Sequence, residues 1–200
     1  AVGIVAKYNF APTEKEKKNL MNEGKREDSI FVTGNTAIDA LKTTVSPDYS
    51  HPELEWAKGS RLILITAHRR ENLGEPMHHM FRAIRKIVDE HNDVKAIYPI
   101  HMNPEVRKAA DEELGDCERI HIIEPLEVMD FHNFMSRSYM ILTDSGEIQE
   151  EAPSLAKPVL VMRDTTERPE GVLAGTLKLV GTDETKIYES FKELLEDSKV

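Results

Sequence analysis

The sequence predicts an α/β fold, a doubly wound parallel sheet of the Rossmann-like class, and three observations predict it. Short apolar runs recur at residues 62–65, 96–100, 120–123, 140–142, 159–162 and 177–180. Most lack polar alternation, as expected of strands covered on both faces. Between them lie segments of helical period: Met77, Met80, Phe81, Ile84, Ile87 and Val88 form one apolar stripe, and Ile187, Phe191, Leu194 and Leu195 another. The connections are short, which implies right-handed crossovers and parallel neighbours.

In chain order, residues 1–42 read as strand, helix, strand, helix. Thr13 and Glu16 have capping-box spacing, and Gly24 is a natural stop for the helix they open. Residues 30–32 make a short apolar strand, and Thr36 with Asp39 repeats the capping spacing for the next helix. Residues 43–59, with Pro47 and Pro52, read as a connector of little periodicity. The regular strand–helix pattern then fills 60–200 as one domain.

Composition sets bounds on function. The chain has 200 residues, 40% hydrophobic and 31% charged, which is ordinary for a globular protein and enough for a sizeable core. A formal net charge of -10 argues against a nucleic-acid partner, and any anionic ligand must be met by a local positive patch. The single cysteine, Cys117, forms no internal disulfide and fits a reducing compartment, with the cytoplasm as the expectation. No apolar run approaches a membrane span, and the first six residues lack the marks of a signal peptide.

Ligands of such sheets sit beyond the carboxyl ends of the strands, so the residues after each apolar run are the candidates. Thr66 to Gly74 contains His68, Arg69 and Arg70, a cation cluster in an acidic protein; arginine matches phosphate oxygens through its fork. His101 and Asn103 follow the next run. Thr143 to Glu151 ends a strand, turns at Ser145-Gly146 and opens a helix, the geometry of an anion site, with a serine hydroxyl beside it. A carboxylate one turn into that helix suits ribose hydroxyls. Arg163 to Gly171 is a further charged loop at the same edge, with Arg163, Thr166, Glu167 and Arg168. The same patterns also fit solvated polar loops and an ordinary capped strand-to-helix turn. No cysteine–histidine spacing suits zinc, no Walker lysine follows a glycine-rich loop, and no G-x-G-x-x-G opens a helix. No metal or cofactor is therefore expected, and His78, His79, His91, His121 and His132 read as surface or packing residues.

Taken together, residues 31–36, 66–74, 98–104, 130–133, 143–153 and 163–179 resemble the non-hydrolysing UDP-N-acetylglucosamine 2-epimerases. The resemblance spans nearly the whole chain and matches the C-terminal, UDP-binding half. It implies one half of a GT-B architecture, with the active site in the cleft between two Rossmann-like domains. The family's chemistry would follow: UDP is eliminated across C1 and C2, then added back with inversion at C2 to interconvert UDP-GlcNAc and UDP-ManNAc, in polysaccharide precursor synthesis. By position, Ser145 and Gly146 would hold the diphosphate, Glu151 the ribose hydroxyls and Phe131 the uracil. His68 would lie at the phosphates as a catalytic residue, and Arg69 and His101 would meet an allosteric second substrate. Arg163, Thr166, Glu167 and Arg168 would support the site. Residues 1–42 would be the end of the N-terminal domain and hinge. The C2 proton acceptors would belong to the rest of that domain, so this chain alone is expected to bind without turnover, and as a monomer although the family is homodimeric. A plain nucleotide-sugar binding domain and a GT-B glycosyltransferase are the alternatives. One departure stands out: the family usually has a second glycine where this chain has Glu147.

Overall fold

A computed structural model describes residues 5–166 and 168–196. The chain divides into two compact units, Ala1–Thr43 and Thr44–Val200.

In the first unit, strands β1 (Asn9–Ala11) and β2 (Ile30–Val32) pair in parallel, with Phe10 opposite Phe31. Helix α1 (Glu14–Asn22) joins them. Thr13 caps it by accepting from the Lys15 N–H, and its hydroxyl donates to Glu16. The stop is the expected one. Gly24 takes φ +85°, its N–H reaches the Met21 carbonyl, and the Lys25 N–H reaches Leu20, which together close a Schellman motif. Helix α2 (Thr36–Thr44) follows, but its cap is Asn35 rather than Thr36: the Asn35 amide oxygen accepts from the Ala37 N–H. The spacing misled because asparagine caps as well as threonine does.

The second unit is a six-stranded sheet, all parallel in its described pairings: β3 (Arg61–Thr66), β4 (Val94–Pro99), β5 (Ile120–Ile123), β6 (Met140–Thr143), β7 (Val159–Val161) and β8 (Leu177–Leu179). Their spatial order is β5-β4-β3-β6-β7-β8. The chain winds outward from β3 in one direction and then restarts from β3 in the other. That reversal between β3 and β6 is the doubly wound signature. Helices α4 (Glu75–Glu90), α5 (Pro104–Leu114), α6 (Val128–Arg137), α7 (Ile148–Ser154), α8 (Pro169–Leu173) and α9 (Glu184–Glu196) connect or follow the strands.

The predicted α4 stripe is the heart of the core. Met77, Met80, Phe81, Ile84, Ile87 and Val88 are all fully buried, against β4, α5 and α9. Burial of each such side chain contributes roughly 1.5–3 kcal/mol. From α9, Ile187, Phe191 and Leu195 join the core and Leu194 packs at its margin.

The connector is more ordered than its composition suggests. It contains α3 (Pro52–Trp56), capped by His51, and α6 grips the stretch before it. Asn133 accepts from the Ser46 N–H and donates to the Thr44 carbonyl, while Arg137 donates to the carbonyls of Ser46, Pro47 and Tyr49. The order comes from partners nearly 90 residues away, which local periodicity does not register.

Candidate functional site

The site forms where the sheet reverses. Thr66 and Thr143 end β3 and β6 side by side, and their hydroxyls share a hydrogen bond of 2.6 Å. The residue just after β6, Asp144, is completely buried. One of its carboxylate oxygens accepts from the backbone N–H of His68 at 2.9 Å, the backbone N–H of Arg69 at 2.8 Å and the side-chain amide of Asn72 at 3.1 Å. The Arg69 guanidinium in turn donates to the Asp144 backbone carbonyl at 2.8 Å. The carboxylate oxygen Oδ2 is thus satisfied entirely by donors from the β3 loop, whereas Oδ1 is buried without a hydrogen-bond partner, with His68 Nδ1 3.9 Å away. Buried Tyr98, from β4, donates to the Ala67 carbonyl and pins the same loop from the other side.

This scaffold presents a cavity of about 430 Å³ lined by His68, Arg69, Ser145, Gly146, Glu147 and Arg168. Five of these six are predicted site residues, drawn from the loops after β3, β6 and β7. The His68 ring stacks on His101, from the β4 loop, with centroids 5.2 Å apart and planes 11° apart. Four loops thus converge on the strands' carboxyl end. A larger cavity of about 860 Å³ lies elsewhere, lined by Arg107, Asp111, Cys117 and His121 among others. It sits against edge strand β5, away from the reversal, so position rather than size selects the smaller one.

At the turn after β6, the Ser145 N–H is taken by the Thr143 hydroxyl at 2.9 Å, and the Ser145 carbonyl accepts from Gln149. Ser145 therefore offers its hydroxyl, not its amide. The first amides to bond back into α7 are those of Glu150 and Glu151, both to the Glu147 carbonyl. Glu147 is exposed, with φ -67° and ψ -45°, a helical conformation open to any residue. A glycine's freedom is not needed there, so the departure at Glu147 lies in the side chain, which adds a charge and volume to the cavity lining.

The supporting loop divides. Arg168 pairs with Glu150 on α7 as well as lining the cavity. The Thr166 hydroxyl donates to Gln149 and accepts from the Arg168 N–H. Arg163 is buried and pairs with Glu71 at 3.4 Å, so it ties the β7 loop to the β3 loop and lines a separate cavity with Asp164. Glu167 lies outside the described residues.

Phe131 and Glu151 lie outside the 430 Å³ cavity's lining, on α6 and α7. Phe131 is half-buried in the first turn of α6. Glu151 is nearly buried, and its carboxyl is pushed up to about 7, first by burial and then by the neighbouring charges of Glu147 and Glu150. His132 is a packing residue as expected, but it faces Glu151, with Nε2 at 3.7 Å from the carboxylate. Of the other histidines, His78 bonds Glu113, His79 lies near Glu75, His91 bonds the Ile87 carbonyl, and His121 bonds Glu53 while stacking on Trp56. Among the described residues no group of three or more histidine, cysteine, aspartate or glutamate side chains is placed to hold a metal ion, and no helix is long and apolar enough to cross a membrane.

Sequence reasoning did not single out Asp144, Asn72 or Thr143. A usable signal existed for Asp144: a lone carboxylate directly after a fully apolar strand sits too deep to be solvated and must have donors waiting.

Reversal of a doubly wound sheet, with a crevice lined by Arg69, Arg168, His68 and Glu147 at that reversal, defines this unit as an α/β domain of the class that takes its ligand at the strands' carboxyl ends. The sequence profile described as UDP-N-acetylglucosamine 2-epimerase matches residues 1–200. The chain belongs to that family. It is 65% identical over 195 residues to the UDP-N-acetylglucosamine 2-epimerase of Bacillus subtilis, covering 98% of this chain and 51% of that protein. It is also similar to the structure described as the S. aureus MnaA-UDP co-structure, at TM-score 0.95 and 53% identity over 99% of this chain and 54% of that one. A third likeness is the Neisseria meningitidis UDP-GlcNAc 2-epimerase bound to UDP-GlcNAc, at TM-score 0.88 and 44% identity over 98% of this chain and 55% of that one. The chain spans about half the length of the relatives it matches.

Proposed function

We propose that this chain supplies the UDP-binding half of an epimerase that interconverts UDP-GlcNAc and UDP-ManNAc. The observation that carries the reading is the crevice between the β3 and β6 loops, where His68, Arg69 and Arg168 surround the Ser145-Gly146 turn. In an acidic chain, Arg69 and Arg168 supply the local positive charge a diphosphate needs, with Glu147 opposing them in the same cavity. Family membership and the similar structures solved with UDP and with UDP-GlcNAc support the same ligand.

The chemistry assigns these residues a task. When the C2 proton is removed, the C1–O bond breaks and the electron pair leaves with UDP. Donors fixed in advance around the diphosphate stabilise that developing charge without reorganising. His68 and Arg69 are fixed in this sense, because Asp144 holds both their backbone amides. His68 contacts the leaving phosphate, Ser145 and Gly146 cradle it, and Arg168, with Thr166 and Arg163 behind it, shapes the far wall. Glu151 accepts from the ribose hydroxyls and Phe131 lies against uracil. Arg69 and His101, beside His68, receive the second, activating sugar nucleotide. The proton acceptor at C2 is supplied by the family's other domain, and residues 1–42 are the end of that domain and its hinge.

Two measurements test the reading. Calorimetric titration should show one UDP site on the chain, weakened about ten-fold or more by His68→Ala, the loss expected for one charge-assisted contact. Incubation with UDP-GlcNAc should yield neither UDP-ManNAc nor free UDP. Absence of UDP binding overturns the proposal, and steady epimerisation by these 200 residues overturns the placement of the base.

A further inference from the structure

We propose that His132 is a positioning residue: anchored by Thr44, it orients Glu151 and favours the ionised carboxylate that the ribose hydroxyls require. The inference rests on the UDP-binding reading and names a residue outside the expected contact set. Three observations converge on it. The His132 side chain is only 6% exposed, so its ring has one packed environment and not a solvated one. Its Nδ1 is 2.7 Å from the Thr44 hydroxyl, which fixes the ring plane. The opposite nitrogen, Nε2, is 3.7 Å from the Glu151 carboxylate, itself 12% exposed. That distance is too long for a hydrogen bond, yet short enough for an N–H dipole to stabilise a carboxylate in a half-dry site.

Glu151 needs such help. Burial and two carboxylates on its own helix, Glu147 and Glu150, all oppose its ionisation. His132 from α6, with Nε2 3.7 Å from the carboxylate, is placed to offset them. Burial holds the His132 ring itself below the usual imidazole range, so the neutral form is the relevant one near pH 7. In the proposed arrangement the Thr44 hydroxyl donates to Nδ1 and the ring proton resides on Nε2, the nitrogen that lies 3.7 Å from Glu151. An ionised carboxylate accepts from ribose hydroxyls about twice as strongly as a neutral one. Because the carboxyl is raised towards neutrality, nucleotide affinity should climb as pH rises through about 7 and level off above it.

Thr44 lies where the connector begins, and the neighbouring residue Asn133 bonds the Thr44 carbonyl. The helix expected to hold uracil and the carboxylate expected to hold ribose are therefore both tied to the connector's first residues.

The test compares the native chain, His132→Phe and His132→Gln, with folding checked by thermal melting. The carbon-13 shift of the Glu151 carboxyl is followed against pH without ligand, and UDP affinity is measured at pH 6, 7 and 9. In His132→Phe the Glu151 midpoint should rise by about half to one pH unit. UDP affinity at pH 7 should then fall about two- to five-fold and recover by pH 9. His132→Gln, which keeps a donor, should restore most of both. An unmoved or lowered midpoint in a folded His132→Phe overturns the proposal, as does a loss of UDP affinity that is equal at all three pH values. If the native chain binds no UDP at any pH, the failure is that of the functional reading, and the ligand-free titration still decides the role of His132.

Discussion

Residues 9–44 and residues 61–196 follow the same strand–helix grammar but end in different surroundings. In the smaller unit, β1 and β2 make a two-stranded parallel sheet, and Phe10 and Phe31 remain 70% and 46% exposed with Tyr8 beside them. In the larger unit, β3 has five successive residues buried, because neighbours lie on both of its edges and helices over its faces. Parallel strands need cover on both sides, and two strands of three residues cannot provide it for each other. Identical local patterns therefore carry very different free energies, and single substitutions can expose the contrast.

The sharpest contrast pairs one aromatic from each unit. Phe81→Ala should cost about 3–5 kcal/mol in urea denaturation, because it opens a cavity in a core that packs from all sides. Phe10→Ala in the same assay should change stability by no more than about 0.5 kcal/mol. A large loss at Phe10 would mean that the smaller unit's aromatic face is covered after all.

Next in size is Asp144→Ala. It strands the amides of His68 and Arg69 and the Asn72 side chain, and should cost about 2–4 kcal/mol. It should also weaken UDP binding more than His68→Ala does, since the whole β3 loop is released. Equal effects on binding would show that the loop keeps its shape without the carboxylate.

A smaller effect separates two helix ends of the same design. Helix α1 closes on Gly24, whereas α7 closes on Ala156 at φ 54°, with the Ala156 N–H on Pro153 and the Lys157 N–H on Ala152. An alanine side chain is disfavoured in that left-handed conformation, so Ala156→Gly should stabilise the chain by about 1 kcal/mol. A fall in melting temperature would overturn the strain argument.

The smallest effect is at Glu147. Its backbone is already helical, so Glu147→Gly acts by removing a carboxylate side chain that lines the cavity and should tighten UDP binding about three- to five-fold at low salt, less at high salt. No change at either salt would mean that the carboxylate points away from the diphosphate.

The sheet was legible in the sequence because its strands are short apolar runs and its helices carry clean stripes; each run matches a strand to within two residues. His68, Arg69, Ser145, Gly146 and Arg168 were legible because topology dictates which loops meet. What stayed hidden depends on partners distant in the chain. Asp144 and Asn72 are 72 residues apart, and Thr44 and His132 are 88 apart. Neither pair leaves a periodic trace. The Asn35 cap was missed for a simpler reason, since two capping residues stand side by side and only the backbone decides between them.

Asp144 also bears on when the site acquires its shape. Its three donors lock the loops on both sides of the sheet reversal into one rigid body as the chain folds. The conformational entropy of the β3 loop is thus given up at folding rather than on meeting the nucleotide. A ligand entering this crevice meets a finished surface, so its association rate should be governed by electrostatic steering and ionic strength, with loop closure contributing little.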